Sequence, residues 1–202
     1  MSSTSAARRV ITDATEIPGG WVVAALGDHF VVTSSKRVFQ RDWRSSGVPF
    51  YRARELAVLA EMGRVENELF IDRSMFDDYR RDFGAPAPKD FLVTGVGTLG
   101  KTYVVRPGDE FYFKDGNIIW LKASRTVDSE FLRQLFLTPL VQSQISEGSA
   151  GTTVGTYTIT NAKQTRIPLP PLREQAAIAN VLKTTDDGIS ALRRLIAKKT
   201  AI

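Results

Sequence analysis

The sequence predicts an α+β fold, in which a mixed globular domain is followed by a long C-terminal helix of the coiled-coil type. Short β-branched and aromatic runs alternate with turn residues and helical segments as far as Pro171. After Pro171 the chain contains no further proline and repeats its apolar residues at helical spacing. We therefore divide the chain into a flexible tail (1–16), a globular domain (17–170) and a helical segment (171–202).

The first half of the globular domain is predicted to contain short strands and a capped helix. Apolar runs predict strands at Trp21 to Leu26, Phe30 to Thr33 and Val48 to Tyr51, with a polar basic loop before the third. Residues 69–84 predict a strand that enters a helix. Ser74 and Asp77 have the spacing of a capping box, and Gly84 lies beyond the helix end.

The second half begins with FLVTGVGTLGKTYVV, residues 91–105, which predicts two strands joined by a tight glycine turn with Lys101 at its tip. The pair Asp115-Gly116 between apolar runs predicts a hairpin. Helical spacing follows from Asp128, and Pro139 starts a second short helix with Thr138 as its N-cap. A glycine-rich loop then leads to a strand at TYTIT, and RIPLPP is extended.

The final segment has a heptad seam. Its positions, all apolar except Thr185 and Lys199, are Ile178, Leu182, Thr185, Ile189, Leu192, Ile196 and Lys199. A helix of roughly 28 residues at ~1.5 Å each would extend about 42 Å. The segment is therefore either an arm for a partner helix or a terminal helix folded back on its own domain. Gly188 predicts a bend or break in its middle.

Composition excludes several classes of chemistry. The chain of 202 residues has no cysteine and one histidine, His29, which removes thiolate sites and leaves Ser-His-Asp catalysis with a single possible base. The absence of cysteine fits a reducing compartment, and we expect a cytoplasmic protein. The formal charge of +5 favours a polyanionic partner, most commonly nucleic acid.

The stretch from Gly95 to Gly100 has the formal pattern G-x-G-x-x-G. A dinucleotide site needs a strand before these glycines and a helix after them, so that the helix N-terminus holds the pyrophosphate. Here KTYVVRPGD predicts a strand and a turn instead. The same argument excludes a P-loop at Gly100-Lys101-Thr102, and the glycines are interpreted as turn residues.

Several segments, in order, resemble a target recognition domain of the specificity subunit of Type I restriction–modification systems. They are IPGGWVVAALGD, KRVFQRDWRSSGVPFYRARELA, FLVTGVGTLGKTYVV and the run from FLRQLF to AAIANVL. The most specific part is IPLPPLREQAAIANVL. In that family Pro-Leu-Pro-Pro-Leu, a Glu-Gln pair and Ile-Ala introduce a long conserved helix. The resemblance covers nearly the whole chain after the tail.

The resemblance implies a DNA-binding subunit that is not an enzyme and carries no cofactor. Such subunits usually have two recognition domains, each reading one half of a bipartite target, separated by two antiparallel helices that act as a spacer. Methyltransferase subunits grip the helices and recognition domains and bring S-adenosylmethionine to an adenine in each half-site. A restriction subunit completes the nuclease complex.

This chain departs from the family pattern, because it has one recognition domain and one helix. It is either a natural or engineered fragment, or two copies pair to rebuild the full arrangement. We expect a homodimer through the helical seam, since an unpaired apolar stripe of this length favours association. Two identical recognition domains would prefer a palindromic DNA target whose two half-sites are separated by a gap. The predicted pairing residues are Ile178, Leu182, Ile189, Leu192 and Ile196.

Lysine and arginine are expected to contact phosphates, whereas base choice comes from contacts in the grooves. The candidate DNA contacts are polar or basic loop residues: Ser34, Ser35, Lys36, Arg37, Gln40, Arg41, Arg52, Lys101, Ser149, Thr152 and Thr153. For each residue taken singly, a solvated surface side chain is the competing interpretation. Tryptophans 21, 43 and 120 could stack on a flipped base or pack in the core.

Two further functions compete with DNA reading. Asp109, Glu110 and Lys114 could suggest a magnesium-dependent nuclease, but their spacing lacks the acid-x-Lys pattern on one strand face. The second is an interaction-only half-subunit that binds methyltransferase without reading DNA. Salt-dependent DNA binding distinguishes the two, because a subunit that reads DNA would show it and an interaction-only half-subunit would not.

Overall fold

This computed structural model describes residues 17–66, 68–149 and 155–200. The predicted flexible tail, residues 1–16, lies outside the described residues, as do Thr152 and Thr153. Among the described residues, no helix is both long enough and apolar enough to cross a membrane.

Strands and helices are mixed along the chain, as the predicted α+β class requires. The strands are β1 (Val22–Ala25), β2 (Val32–Thr33), β3 (Val48–Tyr51), β4 (Phe70–Ile71), β5 (Phe91–Thr94), β6 (Thr102–Val104), β7 (Tyr112–Phe113), β8 (Ile118–Leu121) and β9 (Arg166–Leu169). The helices are α1 (Leu26–His29), α2 (Ala53–Met62), α3 (Arg73–Asp82), α4 (Ser129–Phe136), α5 (Pro139–Ser149), α6 (Ile159–Gln164) and α7 (Leu172–Thr200), with a 3₁₀ turn at Gln40–Asp42.

The described strands form three sheets. A four-stranded antiparallel sheet has the order β2-β8-β5-β6, a second sheet has the order β4-β3-β7, and β1 pairs with β9. In the second sheet β3 and β7 run parallel. The β1–β9 pair places Val22 opposite Leu169 and so brings the start of the domain next to the start of α7.

The four-stranded sheet is buried on both faces, because successive strand residues point in opposite directions. Phe91 and Val93 of β5 belong to a core cluster with side chains of α4 and α5. Leu92, between them, belongs to a second cluster with Trp120 and side chains of α2. The indole nitrogen of Trp120 donates to the buried carboxylate of Asp90 at 2.7 Å. Trp120 is therefore a core residue.

The root of α7 is held by a buried glutamine. Gln175 is 1% exposed; its amide nitrogen donates to the carbonyl oxygens of Thr126 (3.0 Å) and Pro170 (2.8 Å). Its amide oxygen accepts from the backbone nitrogen of Asp128 at 2.8 Å. The neighbouring Glu174 accepts from the indole nitrogen of Trp21 at 3.1 Å. The Glu-Gln pair therefore connects the helix to the domain from which it extends.

The first half of α7 packs on α4. Ala179 is buried in the core cluster that includes α4, and Ile178 packs against the same cluster. Further along, the carboxylate of Asp186 accepts from Gln134 Nε2 at 3.2 Å. The helix continues through Gly188, so the predicted break is absent. The root of the helix therefore folds back on its own domain, whereas its distal apolar residues are exposed. The interpretation of the segment as an arm for a partner helix stays a prediction.

Helix α2 was not predicted and depends on an ion pair at its first turn. Glu55 accepts from the backbone nitrogen of Arg52 at 3.0 Å and from its guanidinium at 2.9 and 2.6 Å. Burial alone raises the pKa of Glu55, but the hydrogen bonds and charge of Arg52 outweigh burial and hold that pKa below its ordinary value. The helix ends at Gly63, whose φ of 70° is left-handed.

The predicted capping box was wrong at one helix. Helix α3 begins at Arg73 with Asp72 at its N-cap, so Ser74 lies inside the helix. At α5 the predicted start was correct: the helix begins at Pro139, and the carbonyl oxygen of Thr138 accepts from the Gln142 nitrogen at 3.1 Å, as an N-cap residue does. The Thr138 hydroxyl does not cap the helix, since it donates to the carbonyl oxygen of Leu135.

Two predicted strand arrangements were also wrong. No strand forms at TYTIT: residues 156–158 have no regular secondary structure, and α6 begins at Ile159, where the Thr158 hydroxyl accepts from the Asn161 backbone nitrogen and caps the helix. Asp115-Gly116 joins strands of different sheets, since β7 pairs with β3 whereas β8 pairs with β5. The turn is therefore present, but the hairpin is not.

We expect Arg52→Ala to lower the free energy of unfolding at pH 7 by about 2–3 kcal/mol, since it leaves a buried carboxylate unpaired. The folded-state pKa of Glu55 is lowered, so its contribution is complete above its unfolded value of 4.5 and is lost as the pH falls through the folded value. The difference between wild type and variant in urea unfolding should therefore narrow below pH 4.5. The exposed neighbour Arg54→Ala is the control. An equal loss in both variants, or a pH-independent difference, would contradict this assignment.

Candidate nucleic-acid interface

The strand register brings three polar segments to one end of the four-stranded sheet. Thr33 at the end of β2 lies opposite Trp120. Ile118 at the start of β8 lies opposite Thr94 at the end of β5. β6 begins beside the same end of β5. The segments 34–41, 95–101 and 114–117 therefore leave the sheet together, and we call them the sheet-end surface.

The first part of segment 34–41 is fixed to the scaffold. Ser34 Oγ donates to the carbonyl oxygen of Ile118 at 2.8 Å, and Ser35 Oγ donates to that of Phe113 at 2.6 Å. The Lys36 backbone nitrogen donates to the Tyr112 hydroxyl at 2.9 Å. Burial raises the pKa of Tyr112 to about 12, so this hydroxyl stays neutral near pH 7. The two serines and Tyr112 thus position the basic residues that follow.

The second part of the segment is exposed and carries charge and amide groups. Arg37 Nε pairs with Asp115 at 2.9 Å, yet the Arg37 side chain is 67% exposed. Such pairs contribute ~0–1 kcal/mol, so the guanidinium can exchange the carboxylate for a phosphate at little cost. Gln40 is exposed, and the Arg41 side chain is 81% exposed. Together with Lys36, these three residues are the exposed members of the predicted set within this segment.

A groove separates segment 34–41 from the turn at 114–117. Its lining includes Arg37, Gln40 and Trp43 on one side and Lys114 and Asn117 on the other. The sequence-based set did not include Lys114 or Asn117 as DNA contacts. The turn at Asp115-Gly116 was the available signal, because polar residues that flank a turn at a sheet end lie at the surface.

The glycine segment 95–101 is a turn between β5 and β6, as predicted. Gly95 donates to the carbonyl oxygen of Asn117 at 2.8 Å and accepts from the backbone nitrogen of Tyr157 at 3.0 Å. A Cβ at position 95 would lie 2.7 Å from the Tyr157 carbonyl oxygen. Glycine is therefore required there by close backbone approach, and strand β6, rather than a helix, follows the motif.

Lys101 does not lie at the tip of that turn. Its backbone pairs with Thr94 at the base of the turn, and its ammonium lies 2.7 Å from a carboxylate oxygen of Glu61 at the end of α2. Both groups are partly exposed, so this ion pair is weak and Lys101 can still approach a phosphate. The prediction of its position was wrong because the backbone pairing of β5 with β6 continues past Val93, the last apolar residue of β5, to Thr94 and Lys101.

The remaining predicted contacts are spread around this end. Arg52 follows β3, beside the Lys114 that follows β7, but its guanidinium is committed to Glu55. Ser149 ends α5, and its hydroxyl donates to the carbonyl oxygen of Ser146 at 2.9 Å. The structure thus brings together residues 34–41, and places Arg52, Lys101 and Ser149 nearer the margins.

The residues considered for a nuclease have structural partners. Asp109 accepts from the Tyr103 hydroxyl at 2.8 Å and from the Arg106 backbone nitrogen at 2.7 Å. Glu110 forms a two-hydrogen-bond ion pair with Arg73. In the parts of the chain that the structure describes, no group of three or more acidic or histidine side chains could hold a metal ion.

The predicted pairing residues of α7 divide into two groups. Ile178 is used by the domain's own core. Leu182 and Ile189 are 40% and 44% exposed, and Leu192 and Ile196 are 61% and 65% exposed. The adjacent Leu195 is 58% exposed and widens the stripe. The distal half of α7 therefore presents an apolar stripe whose exposure increases away from the domain.

Comparisons with known proteins agree with this architecture. The family model described as "Type I restriction modification DNA specificity domain" matches residues 18–199. The type I restriction enzyme specificity subunit S.HindORF215P of Haemophilus influenzae is 32% identical over 162 residues, covering 79% of this chain and 39% of that protein. The MjaX specificity subunit of Methanocaldococcus jannaschii is 25% identical over 194 residues, covering 92% and 44%. The chain thus spans about two fifths of the length of these relatives.

Solved structures show the same fold. A chain from a structure of a type I restriction–modification system, solved for its complex assembly and conformational transition, matches with a TM-score of 0.70 and 18% identity, covering 98% of this chain and 46% of that one. The HsdS subunit from Thermoanaerobacter tengcongensis matches with a TM-score of 0.63 and 18% identity over 93% of this chain and 43% of that one. This chain belongs to the family described as the Type I restriction–modification DNA specificity domain.

Proposed function

We propose that this chain reads one half of a bipartite double-stranded DNA target and directs an adenine methyltransferase subunit and a restriction subunit to it. The sheet-end surface supports this proposal, because it gathers exposed guanidinium, ammonium and amide groups at one end of a rigid sheet. S-adenosylmethionine would be held by the methyltransferase partner. The chain itself would supply recognition and geometry.

The chemistry of the sheet-end surface suits reading in the major groove. Arginine forms paired hydrogen bonds with guanine O6 and N7, and glutamine or asparagine does so with adenine N6 and N7. Arg37, Gln40 and Asn117 line one groove and offer both kinds of contact. Lys36, Arg41 and Lys114 would neutralise phosphates and so contribute affinity that depends on salt.

The exposed stripe of α7 suits pairing with a second copy of the chain. Leu182, Ile189, Leu192 and Ile196 are spaced as one seam of a coiled coil. Pairing of these residues would bury apolar area that is now exposed on each copy. Two identical recognition domains held by paired helices would favour a palindromic target with a gap. Methyltransferase subunits would then bind to the helices and domains.

Replacing Arg37 and Arg41 together by alanine should weaken duplex binding by at least tenfold at about 0.1 M salt, because one base contact and one phosphate contact are lost. The salt slope should fall by about one, since the phosphate contact of Arg41 contributes ~0.9. Fluorescence anisotropy with a labelled duplex measures both quantities. The double variant Arg80→Ala and Arg81→Ala on α3 removes the same charge from residues that do not line the groove, and it should change affinity less than about twofold. Equal effects of the two variants would contradict the assigned surface. Absence of salt-dependent binding by the wild type, with methyltransferase binding intact, would favour the interaction-only function.

Light scattering of the wild-type protein at tens of micromolar should give the mass of two chains. The double variant Ile189→Asp and Leu192→Asp should give the mass of one chain. Burying an unpaired carboxylate in the seam costs more free energy than the apolar contact contributes. Asn180→Asp, an exposed change on the proximal part of α7 and off the seam, should leave the dimer intact. A wild type that is monomeric at this concentration would overturn the pairing.

A further inference from the structure

Phe39 is an exposed aromatic side chain inside the most polar part of the sheet-end surface. It is 50% exposed, whereas the preceding Val38 is 4% exposed and belongs to a core cluster. Its surroundings are the basic and amide residues of SSKRVFQRD. A phenylalanine that is half exposed leaves half of its surface in water, and no contact within its own chain offsets the cost of hydrating that half.

The backbone fixes this exposure. Phe39 precedes the 3₁₀ turn, and its carbonyl oxygen accepts from the Asp42 nitrogen at 2.9 Å. The guanidinium of Arg44 donates to the carbonyl oxygens of Arg41 and Trp43, at 3.1 and 3.0 Å, and pairs with Asp72 at 2.8 Å. With Val38 anchored on one side and the turn braced on the other, the ring is held toward solvent.

One contact orients the ring further. The Arg41 guanidinium carbon lies 5.0 Å from the centroid of the Phe39 ring, within the range of a cation–π interaction. The groove that carries Arg37 and Gln40 includes Phe39 in its lining. The surface therefore combines hydrogen-bonding groups with one apolar group of fixed position.

We propose that Phe39 contacts the C5-methyl group of a thymine in the half-site. This inference rests on the proposed function, because it requires the sheet-end surface to enter the major groove. The thymine methyl is the apolar group on the major-groove edges of the bases, and phenylalanine is one of the side chains that match it. Arg37, Gln40 and Asn117 would read neighbouring pairs, and Phe39 would add selectivity for thymine that hydrogen bonds alone do not supply.

The test begins with selection of a randomised duplex library on the full chain, followed by replacement of each selected thymine by uracil, one at a time. At one position, uracil should weaken wild-type binding by about fourfold, the factor that corresponds to one buried methyl-sized group. Phe39→Ala should bind the thymine and uracil duplexes equally, whereas Phe39→Leu should keep most of the difference. Val31→Ala, an exposed apolar change at the opposite end of the sheet, should behave as wild type.

The outcomes separate this inference from the proposed function. A wild type that selects no sequence overturns both. A selected sequence at which uracil has no effect, or the same effect on wild type and Phe39→Ala, overturns the thymine contact and leaves DNA reading in place. Because position 39 is exposed, thermal unfolding of Phe39→Ala should match the wild type, and this measurement excludes loss of folding as the cause.

Discussion

The geometry of the molecule depends on one buried amide. Gln175 uses both of its N–H groups and its oxygen on backbone groups that come from two places in the chain, the loop before α4 and the end of β9. Loss of this side chain would remove the partners of one backbone donor, the Asp128 nitrogen, and of two acceptors, the carbonyl oxygens of Thr126 and Pro170. Pro170 is buried, so its carbonyl oxygen would be left unsatisfied at a cost in stability. The glutamine thus fixes the point and the direction at which α7 leaves the domain.

Further contacts extend that fixed region along the helix. Ala179 packs in the core, and Asp186 accepts from Gln134 of α4. Gly188 lies just beyond and costs ~1 kcal/mol relative to alanine in a helix. The i,i+4 pair between Lys183 and Asp187, at 2.7 Å, supports the turn before it. Domain and helix are therefore joined by contacts as far as Asp186, with the sheet-end surface on the domain and an apolar stripe on the distal half of the helix.

Local signals in the sequence predicted much of this fold. Val48–Tyr51 and the start of α7 after Pro171 were correct, because apolar runs and proline act within a few residues. The parallel pairing of β3 with β7 was missed, since it joins segments distant in sequence. Helix α2 was also missed, although its first turn carries a local signal, the pair of Arg52 and Glu55 three residues apart. Segment 34–41 was identified as polar and basic. The sequence did not show that the hydroxyls of Ser34 and Ser35 would bind the scaffold, or that Phe39 would stay exposed.

The rigidity of the connection between the domain and α7 can be measured directly. The chain has no cysteine, so spin labels at Asp77→Cys on α3 and Arg193→Cys on α7 would be unique. Double electron–electron resonance on labelled protein diluted with unlabelled protein should give one narrow distance. Gln175→Ala should broaden that distribution, whereas the exposed change Gln164→Ala should leave it narrow. A broad distribution with Gln175 intact, or one unchanged by its loss, would contradict a helix held in a fixed direction.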